Sequence, residues 1–171
     1  MNFSLWLEST YDDLYQSAVD AFPLTKARQH ATEPVQVGRF QLTPFVGLKT
    51  FLIRSVATNE DRQYRPTFLF KNVAYKDGPD RGLLKVRISV NEARFIEPLT
   101  TERHNVLVRC SCDDFYWRFQ HWNSQDRSLY GRDRGPYESQ GGPPANPKEM
   151  PGMCKHLMKM MEAMREVGLV R

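Results

Sequence analysis

NVLVRCSCDDFYWRFQHWN, residues 105–123, changes its grammar twice within nineteen positions. Val106 and Val108 alternate with Leu107 and Arg109, the period-two signature of a strand with one buried face. Two thiols then stand one residue apart at the strand's end. After them Phe115, Phe119 and Trp122 fall at i, i+4 and i+7, the spacing of the buried face of a short helix. A strand and a helix therefore meet at Cys110 and Cys112. A disulfide between cysteines so close would close a small ring far from preferred bridge geometry, so the thiols need another partner.

That partner lies in PGMCKHLM, residues 151–158, where Cys154 and His156 repeat the one-residue spacing. The chain reads C-x-C, 41 intervening residues, then C-x-H, and every one of its three cysteines is used. Three Cys and one His complete the tetrahedral shell that Zn²⁺ favours, and a shell with no open position marks a structural rather than a catalytic site. A C-x-C at a strand end can aim both thiols inward, and a C-x-H at a helix start meets the ion as the chain enters its first turn. The helix N-terminus favours thiolate over thiol there. The alternative is three isolated buried cysteines and a core histidine. His30, His104 and His121 have no comparable cysteine neighbours in the sequence.

Composition bounds what such a site serves. The chain has 171 residues, 40% hydrophobic and 26% charged, ordinary values for one globular domain spanning 1–171. MNFSLWLESTYDD lacks a basic leader and a sustained apolar run, and nothing approaches the length needed to cross a bilayer, so the expectation is a soluble, unprocessed chain with no membrane partner. An odd cysteine count suits synthesis in the reducing cytoplasm. Net charge is +4, with 16 Arg against 8 Lys. Arginine forks suit carboxylates and phosphates alike, so the bias favours a partner without naming it.

Within that domain, residues 1–33 form an N-terminal helical segment. Ser9 or Thr10 can cap, Asp12 or Asp13 sits three residues on, and Tyr11, Leu14, Tyr15, Ala18, Val19 and Phe22 make an apolar stripe that Pro23 stops. Trp6 and Leu7 can staple its first turn or anchor in a neighbouring subunit. Residues 34–104 are β-rich. VQVGRFQL, GLKTFLIRSVA, PTFLFKNVAY, GLLKVRISV and EARFIEPL are rich in β-branched and aromatic residues, and KDGPDRG, residues 76–82, has the composition of a hairpin connection. Leu84, Val86, Ile88 and Val90 face one way while Lys85, Arg87 and Ser89 face the other, which leaves a basic wet face open to solvation or to binding. Residues 105–171 carry the metal motif around a long loop, 123–151, with four glycines and five prolines. A loop of that length usually has work to do, such as wrapping a partner. A last helix follows, with Leu157, Met160, Met161, Met164 and Val167 as its stripe and Gly168 as its stop. Its methionines serve as core filler or as an adaptable surface. The fold class expected is α+β: an antiparallel sheet flanked by N- and C-terminal helices, with a structural zinc site.

C-x-C-x-D-F at Cys110, Cys112, Asp114 and Phe115, with P-x-x-C-K-H-L at Pro151, Cys154, Lys155, His156 and Leu157, resembles the SWIM-type zinc finger. The resemblance covers residues 106 to about 167 and implies one zinc ion on Cys110, Cys112, Cys154 and His156, with a longer insert between the pairs than is usual. The layout of the whole chain is similar to small zinc-finger proteins of tailed-phage virions, which implies a virion-associated component held by protein neighbours. A nucleic-acid-binding zinc-finger protein is the alternative. Arg103, Arg109, Arg118, Arg127, Arg132 and Arg134 interleave with Tyr116, Trp117, Trp122 and Tyr130, yet four Asp leave residues 103–134 a net charge of only +2. The sequence offers no nucleophile with a base, no paired acid and no H-x-E with P-C-x-x-C, so an enzyme is not expected.

Overall fold

The computed structural model describes residues 8–23 and 30–171. Trp6 and Leu7 lie outside them. Helix α1 is Tyr11–Ala21. Its cap is Thr10 paired with Asp13: Asp13 N donates to Thr10 Oγ1 at 3.3 Å and Thr10 N donates to Asp13 Oδ2 at 2.9 Å. Two otherwise orphaned end groups are thereby satisfied. Tyr11, Leu14, Ala18 and Ala21 are buried, whereas Tyr15, part of the same stripe in the sequence, is exposed.

The strands are short because each long apolar run is cut by a turn. They are β1 Gln36–Val37, β2 Gln41–Phe45, β3 Thr50–Arg54, β4 Ala57–Asn59 and β5 Arg62–Tyr64. There follow β6 Thr67–Phe70, β7 Tyr75–Lys76, β8 Leu84–Arg87, β9 Ala93–Ile96 and β10 Val106–Arg109. The one antiparallel sheet expected from the sequence is instead three: β10-β6-β3-β2, β1-β4-β5 and β7-β9-β8. GLKTFLIRSVA shows why. After β3 the chain bends at Ser55, whose hydroxyl donates to Gly38 O at 3.1 Å, and Ala57 begins a strand of a different sheet.

KDGPDRG is a second correction. It joins β7 to β8, but both strands pair with β9 rather than with each other, so the segment is a crossover and not a hairpin. The hairpin in that sheet is β8 to β9, where Ile88 N and Ser89 N both donate to Glu92 O at 2.9 and 3.1 Å. That tight turn ends the inward alternation after Val86 and leaves Val90 almost wholly exposed.

The four-stranded sheet organises the core. Register sets Val106 beside Phe70 and Phe51, and Val108 beside Phe68 and Ile53, so one face presents rows of apolar side chains. All six are buried with Leu14 and Ala18 of α1, and each contributes roughly 1.5–3 kcal/mol of burial energy before entropy is counted. After β10 the expected helix forms but breaks at Phe119 into α2, Asp113–Arg118, and α3, Gln120–Gln125. Phe115 and Phe119 are buried, while Trp122, beyond the break, is only partly so.

Helix α4 is Lys155–Glu166. Its methionines Met158, Met160, Met161 and Met164 are core filler, Met158 replacing the exposed Val167 in the stripe. Gly168 at φ 76° takes the left-handed conformation that ends the helix, with Leu169 N donating to Met164 O at 3.0 Å. The chain then runs beside Leu99, and Asp12 N donates to Thr101 O at 3.1 Å, so both terminal helices are tied to the segment around residue 100.

Candidate metal centre

Four ligand atoms converge where β10, α2 and α4 meet. Cys110 follows the last residue of β10, Cys112 is the N-cap of α2, Cys154 is the N-cap of α4, and His156 sits in the first turn of α4. Their ligand atoms all lie within 4.8 Å of one another, and all four residues are buried. Tetrahedral zinc thiolate bonds of about 2.3 Å require sulfurs about 3.8 Å apart, so the cluster is near the size of one ion's shell. Among the described residues no carboxylate joins the group, and all three cysteines are free of disulfides.

The electrostatics fit a cation. Burial pushes the Cys110 and Cys154 thiols well above the ordinary value, whereas hydrogen bonds from those two thiols lower Cys112 to about 2. Phe115 N also donates to Cys112 Sγ at 3.3 Å, as the amide at a helix start does to a capping anion. One thiolate and two thiols is the state these shifts describe, and an ion of charge +2 would displace the two remaining protons. His156 Nδ1 stands 3.9 Å from Cys110 Sγ, and its Nε2 is buried without a hydrogen-bond partner among the described residues. Tyr64 of β5 packs against the ring, centroids 4.3 Å apart and planes tilted by 32°. The donor set and its burial fit a soft-to-borderline metal ion.

The second ligand pair reaches the first because the loop is held by buried amides. Asn123, fully buried on α3, donates from Nδ2 to Gly152 O at 2.9 Å and accepts from Gly152 N at 2.8 Å. Asn146 Nδ2 donates to Arg118 O at 2.9 Å and to Met150 O at 2.8 Å. Ser17 Oγ of α1 donates to Pro151 O at 2.5 Å. Gly152 is required there: a Cβ would stand 2.6 Å from Phe119 Cε1 and 3.0 Å from Ala18 Cβ. Sequence reasoning missed Asn123, Asn146 and Gly152. The one available signal was an asparagine inside an aromatic run, since a buried amide needs partners and backbone supplies most of them.

The arginines read from the sequence separate. Arg118 pairs with Asp114 and lies over the Phe22 ring at 5.3 Å. Arg103 lines a depression of its own with Asn72 and His104. Arg109 and Arg134 come together beside the metal cluster, joined by Arg65 from the β-rich segment.

Fold and site together define an α+β protein with a buried Cys₃His cluster able to hold a metal ion. Comparison with protein-family models, curated proteins and solved structures finds no match. Among the described residues no helix is long and apolar enough to cross a membrane.

Proposed function

We propose that this chain is a non-enzymatic structural protein whose cluster binds one Zn²⁺, and that it serves as a component of a larger protein assembly, of the tailed-phage virion kind. The observation that carries it is the closed, buried Cys₃His shell at the junction of β10, α2 and α4. Such a shell leaves no position for substrate or activated water and instead cross-links chain segments 41 residues apart. Structural zinc brings about 10–16 kcal/mol of apparent binding energy in small finger peptides, comparable to a whole domain's net stability. The C-x-C and C-x-H pairs support a SWIM-type reading of this site, and the layout of the whole chain supports the virion.

Protein neighbours are favoured by the edge of the four-stranded sheet. Leu42 and Phe45 on edge strand β2, and Leu48 in the turn after it, are all exposed. Apolar side chains on an unpaired edge are a hazard to a free chain and an asset to a docked one.

Metal analysis of protein produced with trace metals tests the ion: one zinc per chain is expected, with loss of most of it in Cys154→Ser. Wild-type protein without stoichiometric zinc, or a variant that keeps it all, removes the site. Sedimentation of particles from the native source, followed by mass spectrometry, tests the assembly role. Recovery of the chain only in the soluble fraction counts against it.

A further inference from the structure

The outer face of the four-stranded sheet carries a polar row at the end nearest the metal cluster. Register places Gln41 opposite Arg54, Arg54 opposite Thr67, and Thr67 opposite Arg109. One rung therefore crosses all four strands, about 14 Å from β2 to β10. Two depressions lie along it. One, of about 410 Å³, is lined by Arg39, Arg54 and Arg65. The other, of about 570 Å³, is lined by Arg65, Arg109 and Arg134 with the rings of Tyr116 and Trp117. Arg65 and Thr67 border both, so the two form a single trough.

Its chemistry is one-sided. The residues that line it include five guanidinium groups and one carboxylate, Asp113; Asp133 acts on Arg109 from outside the lining, and none of the five arginines forms an ion pair among the described residues. Among the described residues Arg109 donates to neutral acceptors: Tyr130 O at 2.5 Å, Arg132 O, and Gln120 Oε1 at 3.2 Å. The last contact orients the Gln120 amide, because only its oxygen can face a guanidinium. Gln120 Nε2 is then a donor with no partner among the described residues, on a side chain only 2% exposed. Guanidinium groups with no carboxylate at ion-pair distance call for an acceptor-rich anion. The length of the row suits a polymer rather than a single small anion.

The aromatic rings narrow the choice. Trp117 is 45% exposed, with Tyr137 stacked on it at 5.3 Å, and Arg134 covers Tyr116 at 5.9 Å. A basic channel bordered by stacking surfaces is the usual recipe for unpaired nucleotides, whose bases offer π-faces that an acidic peptide lacks. We propose that this trough binds single-stranded nucleic acid, with phosphates along the arginine row and bases against Trp117. The trough stands on the sheet register and the arginines, whichever metal the cluster holds.

Anisotropy of a labelled twelve-nucleotide oligothymidylate, titrated with the full metal-loaded chain, tests it. Contact with four or five phosphates predicts a salt slope of about −2.8 to −3.5, a roughly 50- to 130-fold loss of affinity between 50 and 200 mM salt. Arg39 and Arg65 are exposed, and among the described residues neither side chain makes an ion pair. Arg39→Ala with Arg65→Ala should therefore fold normally and weaken binding by about tenfold or more. Arg81→Ala with Arg87→Ala, exposed positions away from the trough, should change it less than about twofold. Absence of saturable binding at 50 mM salt overturns the proposal, as does equal weakening in both double variants. Displacement of the oligonucleotide by polyglutamate at matched charge also overturns it, and assigns the trough to an acidic protein segment.

Discussion

Replacing Asn123 by Ala should damage both stability and metal affinity, although the side chain touches no metal ligand. Its amide makes two hydrogen bonds to the Gly152 backbone, at 2.9 and 2.8 Å, in a fully buried place. Truncation leaves a buried N–H and a buried C=O without partners, at about 1–3 kcal/mol each, so about 2–6 kcal/mol together. For a chain of this size about 4 kcal/mol corresponds to a fall in Tm of roughly 8–16 °C. Gly152 is two residues before Cys154, so the same loss loosens the approach of the second ligand pair. Asn123→Asp keeps an acceptor for Gly152 N but sets a carboxylate oxygen against Gly152 O. It should be at least as harmful at neutral pH and partly recover on acidification, when the protonated acid can donate again. Thermal melts by circular dichroism give the stability, and competition with a chromophoric chelator gives the metal affinity. An Asn123→Ala chain within about 0.5 kcal/mol of wild type, with unchanged metal affinity, would refute the reasoning and show that water or a small backbone shift satisfies Gly152.

Chelation should expose amides from residue 112 onward to hydrogen exchange before it touches β3 and β6, because the loop is held by a few amide contacts while those strands pair on both sides; equal loss across the sheet would mean that the metal holds the whole fold. Metal uptake near pH 7 should release about two protons, those that burial keeps on Cys110 and Cys154. Calorimetric titration in buffers of differing ionisation enthalpy counts them, and a count near zero contradicts the charge state described. The raised thiols contribute stability to the metal-free fold below the ordinary thiol value of about 8.5 and lose it as pH rises further, so metal-free protein should weaken in alkali while the loaded form does not. Burial also raises Asp126, whose Oδ2 has no partner among the described residues. Its contribution is present below the unfolded value of about 3.9 and lost as pH rises through the folded one. Asp126→Asn should therefore melt higher than wild type at pH 7, with the gap closing towards pH 3; a lower melting point at pH 7 would show that the charge is wanted.

Local signals were legible wherever a residue's neighbours in sequence are also its neighbours in space. Thr10 with Asp13, the alternation of Val106 and Val108, Phe115 with Phe119, and Gly168 after α4 are all settled within one or two turns of chain, by hydrogen bonds and side-chain periods that the sequence displays directly. Cys110, Cys112, Cys154 and His156 were legible for a different reason: thiol and imidazole at paired spacing are rare enough to find each other across 41 residues, and the fold brings them within 4.8 Å. Strand pairing was not legible. KDGPDRG has the composition of a hairpin yet spans a crossover, because β9, later in the chain, takes the place between β7 and β8. The same limit hid the trough. Arg118 and Arg109 look alike in sequence, but Asp114 one helical turn away neutralises the first, while register lines the second up with Thr67, Arg54 and Gln41. Residue chemistry and short-range periodicity thus determined where the helices lie, most of their buried positions and the Cys₃His set by themselves, but not the break at Phe119 or the exposure of Tyr15, Val90 and Val167. Sheet partition, the seating of Gly152 under Asn123, and the choice of which arginines stand together were decided only by tertiary structure, since they depend on which distant segments compete for the same strand edge, cavity or carboxylate.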